Sequence, residues 1–326
     1  MPQAALRSAP SAPRVTPRHP SSRAALPRYE LTGPDDAPVV VALGGISANA
    51  HVTATFADPT PGWWSDLAGD GKAIDTRRYR VLGIDFLDGG RAANGRPAKT
   101  ITTHDQAAAV VRVLDTLGVE RVHAFVGASY GGMVALAFAE RYPDRVAKIV
   151  AISAPHAPDP MSTALRALQR NIVKLGLESG RVREALALAR GLAMTTYRSA
   201  REFRDRFDVP AVAHDSGDAT FAVERYLAHH GDRFAATWSA ERFLALSLSG
   251  DLHRVDPAKI RTPTVIVAAE GDAIVPSEQL EELAATIAAP TRLIHLASTR
   301  GHDAFLTEPE ALGNILEVAI ATTIVS

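Results

Sequence analysis
The sequence predicts an α/β protein: a mostly parallel, doubly wound sheet carrying one helical insertion. Three observations predict it. Short apolar runs bounded by turn residues alternate with helical stretches, the mark of successive βαβ units. The run His123-Ala124-Phe125-Val126 passes through Gly127-Ala128-Ser129-Tyr130-Gly131 into a helical stretch at residues 133–139, giving a strand, a sharp turn and a helix. Between residue 161 and about residue 251 strand signals lapse and helical periodicity takes over, as in residues 181–190.

In chain order, residues 1–27 are rich in Arg, Pro, Ser and Ala and hold no acidic residue. They lack the apolar centre of a signal peptide, and Pro10, Pro13, Pro17 and Pro20 break the amphipathic helix that a transit peptide needs. We expect a disordered tail on a cytoplasmic chain. Residues 28–160 form the first part of the core. Val39–Leu43 reads as a buried strand that ends in Gly44-Gly45-Ile46-Ser47-Ala48-Asn49-Ala50-His51, residues 80–85 as a second strand and residues 105–117 as a helix. Residues 122–126 lead into the turn, and residues 147–152 form the next strand. Residues 161–251 make the insertion, read as a lid. Residues 252–326 complete the core, with strands at Thr264–Ala269 and Thr291–Leu296 and a closing helix from Pro309 to about Thr322.

Composition narrows the function. A net charge of −1 gives no electrostatic footprint for nucleic acid or an anionic membrane. No apolar stretch approaches the ~20 residues of a membrane span. The absence of cysteine excludes disulfides, thiolate chemistry and Cys-ligated metals.

The turn at Ser129 carries the chemistry. Gly-x-Ser-x-Gly between strand and helix forces the serine into a strained conformation, and side chains at Gly127 and Gly131 would collide with the neighbouring strand and helix. The hydroxyl is lifted to a helix N-terminus, where N–H groups can hold a developing oxyanion. A serine nucleophile needs a base, and the base an orienting acid. In the α/β-hydrolase order these follow as acid and then histidine, each at a strand end. Asp272, after the strand Thr264–Ala269, and His302, after Thr291–Leu296, meet that order. Glu270 competes with Asp272 but still belongs to its strand. His104, His123 and His156 precede the acid, and His229 and His230 fall in the insertion. The oxyanion donors expected are the N–H of Tyr130 and that of Ile46 in the first strand's loop; the bland alternative is that Gly44 and Gly45 only make a tight turn.

From about Pro38 onward the chain resembles the homoserine O-acyltransferases of methionine biosynthesis, a family with the α/β-hydrolase fold. Gly62-Trp63-Trp64 and residues 71–79 are similar to its early signature. Thr196-Tyr197-Arg198-Ser199, Glu202-Phe203 and Arg206-Phe207 are similar to its lid, as are residues 223–227 and 231–234, while residues 301–306 resemble its histidine segment. Ala128 and Tyr130 stand where many members carry Gly and Met. The resemblance implies that Arg198 binds the α-carboxylate of homoserine and Asp303 its α-ammonium. It also implies a homodimer, a ping-pong reaction through an acyl-serine, and no cofactor beyond an acyl-CoA co-substrate.

Members use succinyl-CoA or acetyl-CoA. Some succinyl-type members place an arginine two residues after the catalytic Asp; here that position is Ile274, which favours acetyl. Against it, Gly44-Gly45-Ile46-Ser47-Ala48 departs from the acetyl-type loop, and residues 250–256 resemble the succinyl branch, with Arg254 a candidate partner for the extra carboxylate. The unusual loop at residues 85–97 adds to the expectation of a changed acyl site. We expect a homoserine O-succinyltransferase, with the acetyltransferase as alternative. Serine as acceptor, an esterase or thioesterase, and a non-catalytic binding protein are the further alternatives.

Overall fold
A computed structural model describes residues 26–213 and 219–322. The tail expected at residues 1–27 lies outside the described residues except for Leu26 and Pro27. In order, the first elements are β1 (Tyr29–Thr32), β2 (Val39–Leu43), the short β3 (Ala68–Gly69) and β4 (Ile74–Asp75), and β5 (Arg80–Ile84). They are followed by α1 (Thr103–Thr116), β6 (Ala124–Ala128), α2 (Tyr130–Arg141) and β7 (Ile149–Ile152). The insertion holds α3 (Pro160–Ser179), α4 (Val182–Tyr197), α5 (Ala200–Phe207), the short β8 (Val212–Ala213) and β9 (Ala219–Thr220), α6 (Ala222–Thr237) and α7 (Ala240–Asp251). The chain then returns through β10 (Thr264–Ala269), α8 (Ser277–Thr286), β11 (Thr291–Leu296), the single turn α9 (Ala304–Thr307) and α10 (Pro309–Ala321).

Seven strands form the sheet in the order β1-β5-β2-β6-β7-β10-β11. Only β1 runs antiparallel, as an edge strand against β5. The apolar runs lack alternation because both faces are covered. Val39, Val41 and Leu43 of β2 pack into one cluster with residues of α1, α2 and α8, whereas Val40 and Ala42 pack into a second with Trp64 and residues of α10. The lid has an apolar centre of its own, in which Val173, Leu186, Ala189, Phe234, Phe243 and Leu244 meet.

Local chemistry sets the element ends. Helix α1 starts earlier than its periodicity suggests because Thr102 and Asp105 form a reciprocal capping box. Asp159, followed by Pro160, caps α3, and Gly180 at φ 72° ends it. Strand β6 runs on to Ala128 because Gly127 and Ala128 still pair with Ala151 and Ile152. Asp85 drops out of β5; its carboxylate accepts the Ala50 N–H at 2.7 Å and braces the loop that follows β2. No helix of the described residues is long and apolar enough to cross a membrane.

Candidate active site
Ser129 sits between β6 and α2 at φ 53°, ψ −120°, a conformation that a side-chain-bearing residue holds only under compulsion. The compulsion is steric. A Cβ on Gly127 would lie 2.3 Å from the Gly131 carbonyl oxygen, and one on Gly131 would lie 2.2 Å from that of Leu43. The backbone closes the turn through Ser129 N–H to the Ile152 carbonyl (2.8 Å) and Gly131 N–H to the Gly44 carbonyl (2.9 Å). The second bond ties the turn to the loop after β2.

Sheet order brings the other two groups alongside. His302 Nε2 lies 2.7 Å from Ser129 Oγ, and its Nδ1 lies 2.7 Å from Asp272 Oδ2. The remaining carboxylate oxygen, Oδ1, accepts the Ile274 and Val275 N–H groups at 2.8 and 3.0 Å, which fixes the carboxylate plane. A carboxylate only accepts, so Nδ1–H donates to Asp272 and Nε2 is free to accept the serine proton. Burial, the largest influence, pushes the imidazole pKa down; the charge and hydrogen bond of Asp272, with help from Asp303, overcome it, and the net direction is up. His302 is 4% exposed and Asp272 8%.

One cavity opens onto Ser129 and His302. Gly45, Ile46, Ser47 and Trp63 line it from the loops after β2, and Tyr130 lines it from the turn. Both residues expected to supply oxyanion donors thus line the cavity that holds the nucleophile. The Tyr130 side chain points elsewhere: its hydroxyl is buried against Ser249 Oγ (2.6 Å) and Gln106 Nε2 (3.2 Å), and burial pushes its pKa up to about 12. The lid contributes Arg166, Gln169, Arg190, Tyr197 and Ser247 to the wall. The early motif supports rather than lines the site, apart from Trp63. Trp64 Nε1 donates to the Phe305 carbonyl at 3.0 Å, and Asp75 is held well below the usual carboxylate range, first by its hydrogen bond with Arg77.

The two residues expected to hold an amino acid stand together. Arg198 Nε lies 3.1 Å from Asp303 Oδ2, and Arg198 Nη1 lies 3.5 Å from Glu202 Oε2. The Nε contact is ionic, without hydrogen-bond alignment. Asp303 lines the cavity, whereas Arg198 is not part of its wall and reaches it through Asp303. Burial pushes the Asp303 carboxyl up, against the pull of Arg198.

The acyl expectations fare unevenly. Ile274 is on the cavity wall. Arg254 is not; it is exposed between buried His253 and Val255, because the extended chain there alternates its faces and turns Arg254 outward. Residues 85–97 are also off the wall: Arg91 and Arg96 instead reach the lid helices through Glu241 (3.9 Å) and Glu178 (3.0 Å). Sequence reading missed Arg166, Gln169 and Arg190. The i, i+4 spacing of Arg166 and Arg170 was the one available sign of a shared helix face.

A family model described as alpha/beta hydrolase fold matches residues 38–309. The chain is 43% identical over 306 residues to a homoserine O-succinyltransferase of Xanthomonas campestris pv. campestris, covering 94% of this chain and 82% of that protein. It is 31% identical to a serine O-succinyltransferase of Litchfieldella anticariensis, covering 86% of this chain and 87% of the relative. Among solved structures, a homoserine O-acetyltransferase from Bacillus anthracis superposes with a TM-score of 0.82 over 91% of this chain and 92% of that one. At 17% identity this last likeness speaks for the fold.

Proposed function
Since the chain belongs to the alpha/beta hydrolase fold family and, within it, to the homoserine O-acyltransferases, we propose that it is a homoserine O-succinyltransferase. It moves a succinyl group from succinyl-CoA to the side-chain hydroxyl of L-homoserine. The observation that carries this reading is the Arg198–Asp303 pair beside a complete Ser129–His302–Asp272 relay. A hydrolase has no use for a matched cation and anion at its base; a zwitterionic acceptor has.

In the first half-reaction Ser129 Oγ attacks the thioester carbonyl while His302 Nε2 takes its proton. The N–H groups of Ile46 and Tyr130 hold the oxyanion, and the imidazolium is steadied by Asp272. The C–S bond breaks, His302 returns the proton to the CoA sulfur, and an acyl-serine ester remains. Homoserine then enters by exchanging into the existing ion pair, its α-ammonium on Asp303 and its α-carboxylate on Arg198, where a guanidinium fork suits a carboxylate. His302 removes the hydroxyl proton, the oxygen attacks the ester, and the proton passes back to Ser129 as it leaves. The lid favours this hydroxyl over water by orienting it and excluding solvent. A homodimer in the cytoplasm that serves methionine biosynthesis belongs to the same proposal.

Serine as acceptor is a second reading, favoured by the 31% identical serine O-succinyltransferase. One methylene separates the two acceptors, worth only about 1–3 kcal/mol of discrimination. The deciding test is CoA release by the purified enzyme from succinyl-CoA and acetyl-CoA, each with L-homoserine, L-serine or no acceptor. Homoserine-dependent release from succinyl-CoA supports the proposal. Preference for acetyl-CoA or for serine replaces it by the corresponding alternative, and release indifferent to the acceptor makes the enzyme a thioesterase. Ser129→Ala must give no acyl adduct by intact mass; an adduct on that variant removes Ser129 from the role of nucleophile.

A further inference from the structure
A succinyl donor brings an anion into the cavity; Arg254, the partner that the sequence offered for it, faces outward, and Ile274 on the wall is apolar. The cavity wall holds two other cations, Arg166 and Arg190. Arg190 lies over the Tyr197 ring at 5.0 Å and lowers the proton affinity of Asp303, which places it at the amino-acid end. Arg166 is differently placed. Its Nε donates to Asp251 Oδ1 at 2.6 Å, while its buried Nη2 has no partner among the described residues.

Asp251 is shared. Its other oxygen accepts from Arg170 Nη1, which also donates to Ser247 Oγ at 3.0 Å. Two guanidinium groups therefore divide one carboxylate, in a cluster whose side chains are 19% (Arg166), 12% (Arg170) and 6% (Asp251) exposed. A mostly buried cluster with one positive charge in excess is unfavourable until an anion meets it. The unpartnered atom belongs to the one member of the cluster pair that borders the cavity. Beside it stand Gln169, Ser162 and Ile274, and Arg166 is near enough to His302 to lower its affinity for a proton.

We propose that Arg166 receives the distal carboxylate of the succinyl group, with Asp251 and Arg170 fixing its guanidinium in place. The proposal rests on the succinyl reading above. Asp251 was thus the informative residue of the segment at residues 250–256, and the cation it positions comes from another helix.

The test compares succinyl-CoA with butyryl-CoA, which has the same chain length but no carboxylate, in wild type and Arg166→Met, with L-homoserine saturating. Asp251 keeps Arg170 in the variant, so no bare carboxylate is left buried. The kcat/KM ratio of succinyl-CoA to butyryl-CoA is expected to fall by roughly 10- to 100-fold, the effect of losing a charge-assisted hydrogen bond. A ratio that stays at the wild-type value, or an equal loss with both donors, overturns the assignment and leaves Arg166 a brace between α3 and α7. If Arg166→Met fails to fold, the neutral, polar Arg166→Gln carries the same comparison. The wild-type arm is read separately: an enzyme that ignores succinyl-CoA defeats the functional reading itself, whatever the variants do.

Discussion

Gly131→Ala is the sharpest probe of how the turn and the loop after β2 work as one unit. The added Cβ would stand 2.2 Å from the Leu43 carbonyl oxygen and 2.7 Å from that of Gly44, and both neighbours are backbone that cannot rotate aside. Ordinary contact begins near 3.4 Å, so the end of β2 must retreat by about 1.2 Å. That movement stretches the 2.9 Å bond from Gly131 N–H to Gly44 and carries Ile46 away from Ser129. Displacing one oxyanion donor costs about 10²–10³ in rate, and the overpacking itself costs about 1–3 kcal/mol of stability. The assay is single-turnover acylation by succinyl-CoA, followed by CoA release and intact mass, beside thermal unfolding. We expect a folded variant whose acylation rate constant drops by about two to three orders of magnitude, with KM changed far less. A folded variant that acylates at the wild-type rate refutes the coupling.

Four further outcomes are expected. Because His302 must be neutral to act as base and its pKa is raised above 6.5, activity falls as pH drops through that raised value. In Asp272→Asn the lowering effect of burial is left unopposed by its main partner, so the acid limb of a pH–kcat/KM profile shifts to lower pH while the rate drops by about 10³–10⁴; an unshifted limb contradicts this. Arg198→Ala should reduce the second-order constant for homoserine by roughly 10- to 100-fold and spare the acylation half-reaction by comparison; equal losses in both halves remove the carboxylate role. His253, fully buried between Thr103 Oγ1 (2.8 Å) and the Pro155 carbonyl (3.0 Å), has its pKa pushed down to about 3, chiefly by burial. The unfolded chain binds that proton near pH 6.5, so the stability is complete above this pH and is lost progressively as pH falls towards 3, by on the order of a few kcal/mol. Melting curves across this range should lose part of their pH dependence in His253→Gln, and an unchanged dependence counts against the assignment.

The sheet was legible because each of its parallel strands is a short apolar run with a turn at its carboxyl end, and a strand end is where this fold collects its chemistry. Ser129, Asp272 and His302 could therefore be nominated from order alone, although 143 positions separate the first two. The acyl site was less legible. Arg166 and Asp251 lie 85 residues apart and meet only because α3 packs beside α7, a relation with no trace in local spacing. Arg254 attracted the assignment because it is the arginine in the right segment, but His253 and Val255 turn inward on either side of it. The Arg198–Asp303 contact, likewise, joins a lid helix end to the loop after β11.

Tyr130 belongs to two parts of the molecule at once. Its backbone forms the first residue of the helix behind the nucleophile, while its hydroxyl is bonded to Ser249, a fully buried residue of α7. Lifting the insertion at this end would strip a buried phenol of one of its two partners and leave it Gln106 alone, so the fastening resists opening at the reaction centre. The residue that follows the nucleophile here also fastens the insertion to the core.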